Sequence, residues 1–285
     1  MELTRANVQD GIITEGCDGD VRPILDSFLT LFGTNKPSLE QIWAAMDFVW
    51  DNLGVNYESP NETAIDQFYA HPVWLLNGLF VEQHAESLSH RRQFTAWVAA
   101  QKPQRVADFG GGYGTLARMI AAQCPHTDVE IVDPYRRPES VRACEPYDNV
   151  RFVDDLTGPY DVIVATDVFE HVPDPLSLVF GILKHLRVGG QMLAANHFAP
   201  SIKCHLPVTF HFAETWPIFM RMAGCQFDGK VSYGQTYTKI GERDLDRRVR
   251  KWEMISARSH RFARHHRLLT RVRNRVFHTL RVRSA

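Results

Sequence analysis

In the stretch IWAAMDFVW the apolar side chains Ile42, Met46, Val49 and Trp50 recur at helical spacing, with Trp43 beside them. That period predicts a helix with one face turned to a core. Ser38, followed three residues on by Gln41, has the form of a capping box and sets the start of this helix. A further helix is predicted over Glu86 to Gln101, and Pro60 and Pro72 punctuate the region between. Residues 1 to about 100 read as mostly helical.

From Arg105 the pattern changes. Short apolar runs, RVADF, VEIV, VRFV, DVIVA and QMLAA, alternate with helical stretches, and Gly, Asp or Asn lies at or near the end of each. Strands alternating with helices predict βαβ units and an α/β fold, a parallel sheet with helices on both faces. Right-handed crossovers bring the C-terminal ends of the strands to one edge, where ligands bind. The later segment FDGKVSYGQTYTKIG alternates in the manner of an antiparallel hairpin added to that sheet. Near the C-terminus Ile255, Phe262, Leu269, Val272, Val276 and Leu280 recur at helical intervals among arginines, the pattern of one or two basic amphipathic helices. The expected division is a helical region over 1–100, a ligand-binding α/β domain over 101–241 and a basic tail over 242–285.

Composition places the chain among ordinary soluble proteins, with 44% apolar and 23% charged residues in 285. No apolar run reaches the roughly 18 residues of a membrane span. The opening MELTRANVQDG is polar and does not read as a signal peptide. The five cysteines are scattered and form no CxxC pair, which favours a reducing compartment and a cytoplasmic location over a disulfide framework. Charge changes the picture more. The formal net charge is −1, yet residues 242–285 carry 14 Lys/Arg against 4 Asp/Glu, or +10, leaving −11 on the rest. Such a tail suits an anionic membrane surface, or it packs on the acidic body.

The chemistry gathers around VADFGGGYGTLARMI. A phosphate-binding P-loop needs Gly-Lys-Ser/Thr, but Gly114 is followed by Thr115 and Leu116. The dinucleotide fingerprint GxGxxG, started at Gly110 and Gly112, meets Thr115 where its third glycine belongs. What fits is an acid, one residue, then alternate glycines: Asp108, Gly110, Gly112 and Gly114, with Gly111 inside the turn. Directly after a strand and opening a helix, this spacing resembles motif I of the class I S-adenosylmethionine-dependent methyltransferases. The fourth strand strengthens the likeness. It runs into DVFEHVPDP, whose Glu170, His171, Val172, Pro173, Asp174 and Pro175 resemble the E-H-V-x-D-P segment of the quinone-biosynthesis-like subgroup (methyltransferase type 11), as does the LRVGGQML turn. The likeness covers about residues 100 to 200 and extends more weakly to 241.

The resemblance implies a Rossmann-like seven-stranded sheet, parallel with one antiparallel strand, and S-adenosylmethionine as cofactor. Glycines let the backbone approach the ligand, and the helix N-terminus offers N–H groups to its carboxylate. Asp108 would face the ammonium. Asp133 closes the second strand about 20 residues past the turn, placed for the ribose hydroxyls. Pro134 and Tyr135 would lie on the adenine face. Asp155, with Asp154 as the alternative, would receive the adenine amino group, and Asp167 follows the fourth strand on the cofactor side. The apolar helix of HPVWLLNGLFVEQHAESLSHRR, ending in Gln83, His84 and Glu86, is expected to close over the cofactor. Acceptor chemistry is less determined. A hydroxyl nucleophile needs a proton acceptor, for which histidine suits neutral pH. His171 is the first candidate; His205 and His211, in the long segment NHFAPSIKCHLPVTFHF, are the alternatives, with His197 and Glu214 nearby. With Cys204 these histidines match no standard metal-ligand spacing, so no metal is expected.

The reaction expected is O-methylation of a small-molecule, glycan or lipid-linked acceptor. C- or N-methylation of a small metabolite and a non-catalytic cofactor-binding adaptor are the alternatives. Nucleic acid is disfavoured: amino-directed enzymes of this kind carry D/N-P-P-Y after the fourth strand, where Asp167, Val168, Phe169 and Glu170 stand here. The acceptor's identity and the oligomeric state are left open.

Overall fold

The computed structural model describes residues 21–33, 36–56 and 61–263. The helical expectation for the first 20 residues lies outside these, as do Pro60 and the apolar positions Leu269, Val272, Val276 and Leu280 of the tail. Five helices precede the sheet: α1 (Val21–Phe32), α2 (Leu39–Asn52), α3 (Glu62–Ala70), α4 (Val73–Val81) and α5 (Ala85–Ala100). The capping box of α2 is formed, the Gln41 N–H donating to Ser38 Oγ and the Ser38 N–H to Gln41 Oε1. Ile42, Met46, Val49 and Trp50 point inward as their spacing requires. The helix predicted at 86–101 begins one residue earlier, because the His84 ring accepts the Ser87 N–H and serves as its N-cap.

Seven strands follow: β1 (Arg105–Phe109), β2 (Asp128–Val132), β3 (Val150–Val153), β4 (Tyr160–Thr166), β5 (Leu186–Ala195), β6 (Cys225–Val231) and β7 (Gly234–Lys239). They form one sheet in the order β3-β2-β1-β4-β5-β7-β6. Only β7 runs against its neighbours, pairing antiparallel with β5 and β6, so the predicted hairpin is in place. The helices α6 (Thr115–Gln123), α7 (Pro138–Cys144), α8 (Pro175–Lys184) and α9 (Phe212–Met222) complete the domain. Strand β4 shows why the apolar runs are continuous: Ile163 and Ala165 enter the core on one face, Val162 and Val164 that on the other. A parallel sheet covered on both faces demands this.

Two features of the topology position the site. Strand β1 pairs with both β2 and β4, and the chain leaves these strands in opposite directions, opening a crevice over their C-terminal ends. Helices α1–α4 share a core that Cys204 and Leu206 enter from the long connection after β5. By contrast, α5 packs beneath the sheet through Phe94 and Val98. Residues 247–263 form a helix, α10. Its Val249 is buried, whereas Trp252, Met254, Ile255 and Phe262 are exposed. No described helix is long and apolar enough to cross a membrane.

Candidate active site

The bare turn connects β1 to α6. Gly110, Gly112 and Gly114 adopt φ of 72°, 56° and 77°, a region costly for any residue with a Cβ. Two of these glycines also serve packing. A Cβ on Gly110 would stand 2.5 Å from Val168 Cγ2, and one on Gly114 2.9 Å from Cys144 Sγ. Gly111 is the close-approach position, since its Cβ would lie 2.9 Å from Asp108 Oδ2. At Gly112 a Cβ would meet nothing within 4 Å, so that peptide faces open space.

Asp108 sits beneath this turn, 1% exposed, and neither carboxylate oxygen has a hydrogen-bond partner in the protein. The nearby Ala117 amide favours the charged form. Burial pushes the carboxyl up to about 7, against the pull of Arg91. A buried acid without a partner, beside a backbone without side chains, suits a ligand that brings its own positive charge. Asp133 stands at the end of β2, its Oδ2 accepting the Gly112 N–H and its Oδ1 the Tyr135 N–H, each at 2.8 Å. Each oxygen retains acceptor capacity for a hydroxyl. Pro134 is exposed. Tyr135 stacks on Tyr69 at 5.4 Å and donates its hydroxyl to Asp66, so α3 holds it in place. Beyond β3, Asp154 pairs with Arg136 at 2.8 Å, while Asp155 is exposed and makes no ion pair among the described residues. Asp167, just past β4 with φ of 54°, accepts the Tyr233 hydroxyl at 2.9 Å.

The segment before α5 does close on the turn. Tyr113 packs against α4 so tightly that a Cβ on Gly78 would meet its Cβ at 2.6 Å. Glu82 accepts the Thr115 hydroxyl at 2.9 Å and pairs with Arg118, both on α6. Glu82 thus makes a polar link between this segment and α6. A glutamate just past an apolar helix carries no signal of this in the sequence.

On the other side of the crevice, Phe169–His171 form a single 3-10 turn that carries Glu170 and His171. His171 Nδ1 lies 3.1 Å from the Cys204 carbonyl, and its ring meets Tyr69 and Trp74 edge-on. His205 stands against it with ring centroids 4.9 Å apart, its own Nδ1 2.8 Å from the Ala199 carbonyl. A carbonyl can only accept, so both rings carry the proton on Nδ1 and present a bare Nε2. Burial pushes the two rings down to about 3 and about 4, so both are neutral at physiological pH. Glu170 is wholly buried. Its Oε1 accepts the His197 N–H at 2.6 Å and its Oε2 has no partner. Burial, with the negative charge of Asp167 adding, pushes Glu170 up to about 8. His211 lies elsewhere: it faces Ser256 at 2.9 Å in a cavity of about 410 Å³ between α9 and α10, which Trp252 and Ile255 also line. The structure thus joins His171 to His205 and sets His211 apart. It adds Glu170, quoted in the sequence only as part of a segment.

A family model described as a methyltransferase domain matches residues 80–273. Among curated proteins, the ubiquinone biosynthesis O-methyltransferase of Xanthomonas campestris pv. campestris (strain B100) is 28% identical over 147 residues, 48% of this chain and 61% of that one. Its counterpart in Xylella fastidiosa (strain M23) is 29% identical over 101 residues, 32% of this chain and 41% of that one. The chain therefore spans about two fifths to three fifths of the length of these curated relatives. Among solved structures, the mitomycin 7-O-methyltransferase has the same fold, with a TM-score of 0.50 at 12% identity over 82% of this chain and 91% of that one. Because the family match runs over more than half of its residues, this chain belongs to the methyltransferase family.

Proposed function

We propose that the protein transfers the methyl group of S-adenosylmethionine to a hydroxyl oxygen of a small or lipid-linked molecule. The observation that carries this reading is Asp108, buried and unpartnered beside the bare turn. The ammonium of the cofactor's amino-acid end suits this carboxylate, its carboxylate the N–H groups at the start of α6, and its ribose Asp133. The adenine amino group falls to Asp155, because Asp154 is engaged by Arg136. When bound, the cofactor supplies an already activated methyl group. The protein's contribution is alignment and exclusion of water, worth roughly 7–11 kcal/mol of barrier. Tyr69 and Trp74 wall the cleft against His171, so helices α3 and α4 form the acceptor side and helices α1–α4 together its cap. Oxygen is favoured as acceptor atom because the curated relatives are named as O-methyltransferases, and because Glu170, His171 and His205 offer a place where a hydroxyl can lose its proton. The 242–285 tail is proposed to meet an anionic surface, consistent with the exposed Trp252, Met254, Ile255 and Phe262 among its basic residues.

Titration calorimetry with S-adenosylmethionine tests the cofactor assignment. One site per chain is expected, with Asp133→Ala weakening it about 10-fold or more, the scale of lost hydrogen bonds to a charged group. Unchanged affinity in Asp133→Ala overturns the ribose assignment. Steady-state assays test the acceptor side: His171→Ala is expected to leave cofactor affinity nearly intact and slow turnover about 100-fold. Full turnover in that variant removes His171 from the chemistry.

A further inference from the structure

We propose that Glu170, His171 and His205 together bind a divalent transition-metal ion of the zinc class. Each offers one ligand atom, and these atoms lie within 4.8 Å of one another. Donors about 2.0–2.2 Å from a tetrahedral ion stand roughly 3.4 Å apart, so rotations on the order of 1 Å close the set.

Three independent features point to an ion. First, the Nδ1 atoms of His171 and His205 are held by the carbonyls of Cys204 and Ala199, which fixes the tautomer and leaves each Nε2 lone pair for a ligand. Metal-bound histidines are oriented in the same way by their outer partners. Second, Glu170 Oε2 is buried and unpartnered while Oε1 is anchored by the His197 N–H. A dication supplies the missing partner for a carboxylate that is otherwise costly to bury. Third, the Leu206 N–H donates to the Glu170 carbonyl at 2.9 Å, tying the loop that carries His205 to the turn that carries the other two ligands.

Two imidazoles and one carboxylate suit zinc, iron(II), cobalt(II) or manganese, and they fit poorly the all-oxygen preference of calcium and magnesium. Three protein ligands leave at least one position open, as catalytic sites require. The consequence for methyl transfer rests on the function proposed above. An acceptor hydroxyl bound at the open position would lose its proton to solvent near neutral pH. The ion site itself depends on no acceptor. No sequence pattern announces it, since the third donor lies on a distant loop.

The test uses the full chain, stripped with a chelator and titrated by calorimetry with Zn²⁺ alone, then with Co²⁺ while the visible spectrum is followed. One saturable ion per chain is expected, with a cobalt absorption typical of low coordination. Glu170→Gln keeps an acceptor for the His197 N–H, and His205→Gln keeps a donor for the Ala199 carbonyl. Each is expected to weaken Zn²⁺ binding at least about 10-fold and abolish the cobalt band. Absence of saturable binding overturns the proposal, as does undiminished binding in both variants. Should Glu170→Gln fail to fold, His205→Gln with the cobalt band decides alone. Calorimetry with S-adenosylmethionine, run in parallel, separates the outcomes: failure there removes the function proposed above and leaves the ion site standing.

Discussion

A carboxyl group cut off from water and given no partner is a liability to the fold, because burial raises the free energy of its charged form. Asp108 and Glu170 are both in that position, held up to about 7 and about 8. Groups like these cluster where binding or chemistry takes precedence over stability. Replacing Asp108 by Asn preserves shape and removes the charge. The variant is expected to melt higher than the native protein at pH 8, with a gain that shrinks as pH falls toward the unfolded carboxyl's value near 4. It is also expected to bind S-adenosylmethionine about 10-fold more weakly or worse. Melting scans at several pH values and calorimetry check the two halves, and lower melting at pH 8 would contradict the first. The position of Asp108 was legible from its spacing to the glycines. Its lack of a partner was not, because that depends on what packs over it.

At the scale of elements, the segment after β4 serves two purposes. Its first half supplies Glu170 and His171, which gather with His205. Its second half starts α8: Asp174 Oδ1 accepts the Ser177 N–H at 3.0 Å, and Pro175 takes the first helical position. Asp174 also receives both Nη atoms of Arg250, at 2.9 and 2.6 Å, which seats α10 on the body. Burial alone would raise this carboxyl, but the bonds from Arg250 and Ser177 hold it down at about 2. Its contribution is therefore present above the unfolded value near 4 and is lost as pH falls from there toward 2. Asp174→Ala is expected to cost about 1–2 kcal/mol in urea unfolding at pH 7, mostly from the lost cap. Asp174→Asn, which keeps the cap and gives up a largely exposed ion pair, is expected to cost about 0.5 kcal/mol. An equal loss in both variants would mean that the ion pair dominates.

For the whole molecule, the perturbed carboxyls and the perturbed rings set opposite trends with pH. From the unfolded value near 4 up to about 7 and about 8, Asp108 and the ion-free Glu170 hold protons in the fold that the unfolded chain has released. Stability therefore falls as pH rises across that range, by up to about 1.4 kcal/mol per pH unit for each group. Below about pH 6.5, burial keeps the rings of His71, His171, His205 and His211 neutral, although in the unfolded chain they would take up protons. The stability that depends on their neutrality is lost as pH falls toward 4. A lower urea midpoint at pH 8.5 than at 6.5 is expected, and the double variant Asp108→Asn/Glu170→Gln is expected to flatten that fall. A midpoint that rises over the same interval would show that these two carboxyls are ionised in the fold.

The amino-acid order alone determined what depends on chain neighbours. The runs of β1–β5, the hairpin of β6 and β7, the turn at Gly110–Gly114 and the acids closing β1, β2 and β3 follow from periodicity and spacing, which are local. The tertiary structure decided everything that depends on contact between distant residues. It brought His205 beside His171, buried Glu170, engaged Asp154 with Arg136, fastened Glu82 to α6 and placed His211 in another cavity. Burial and close approach are set by whatever the fold lays against a side chain, and no spacing along the chain encodes that.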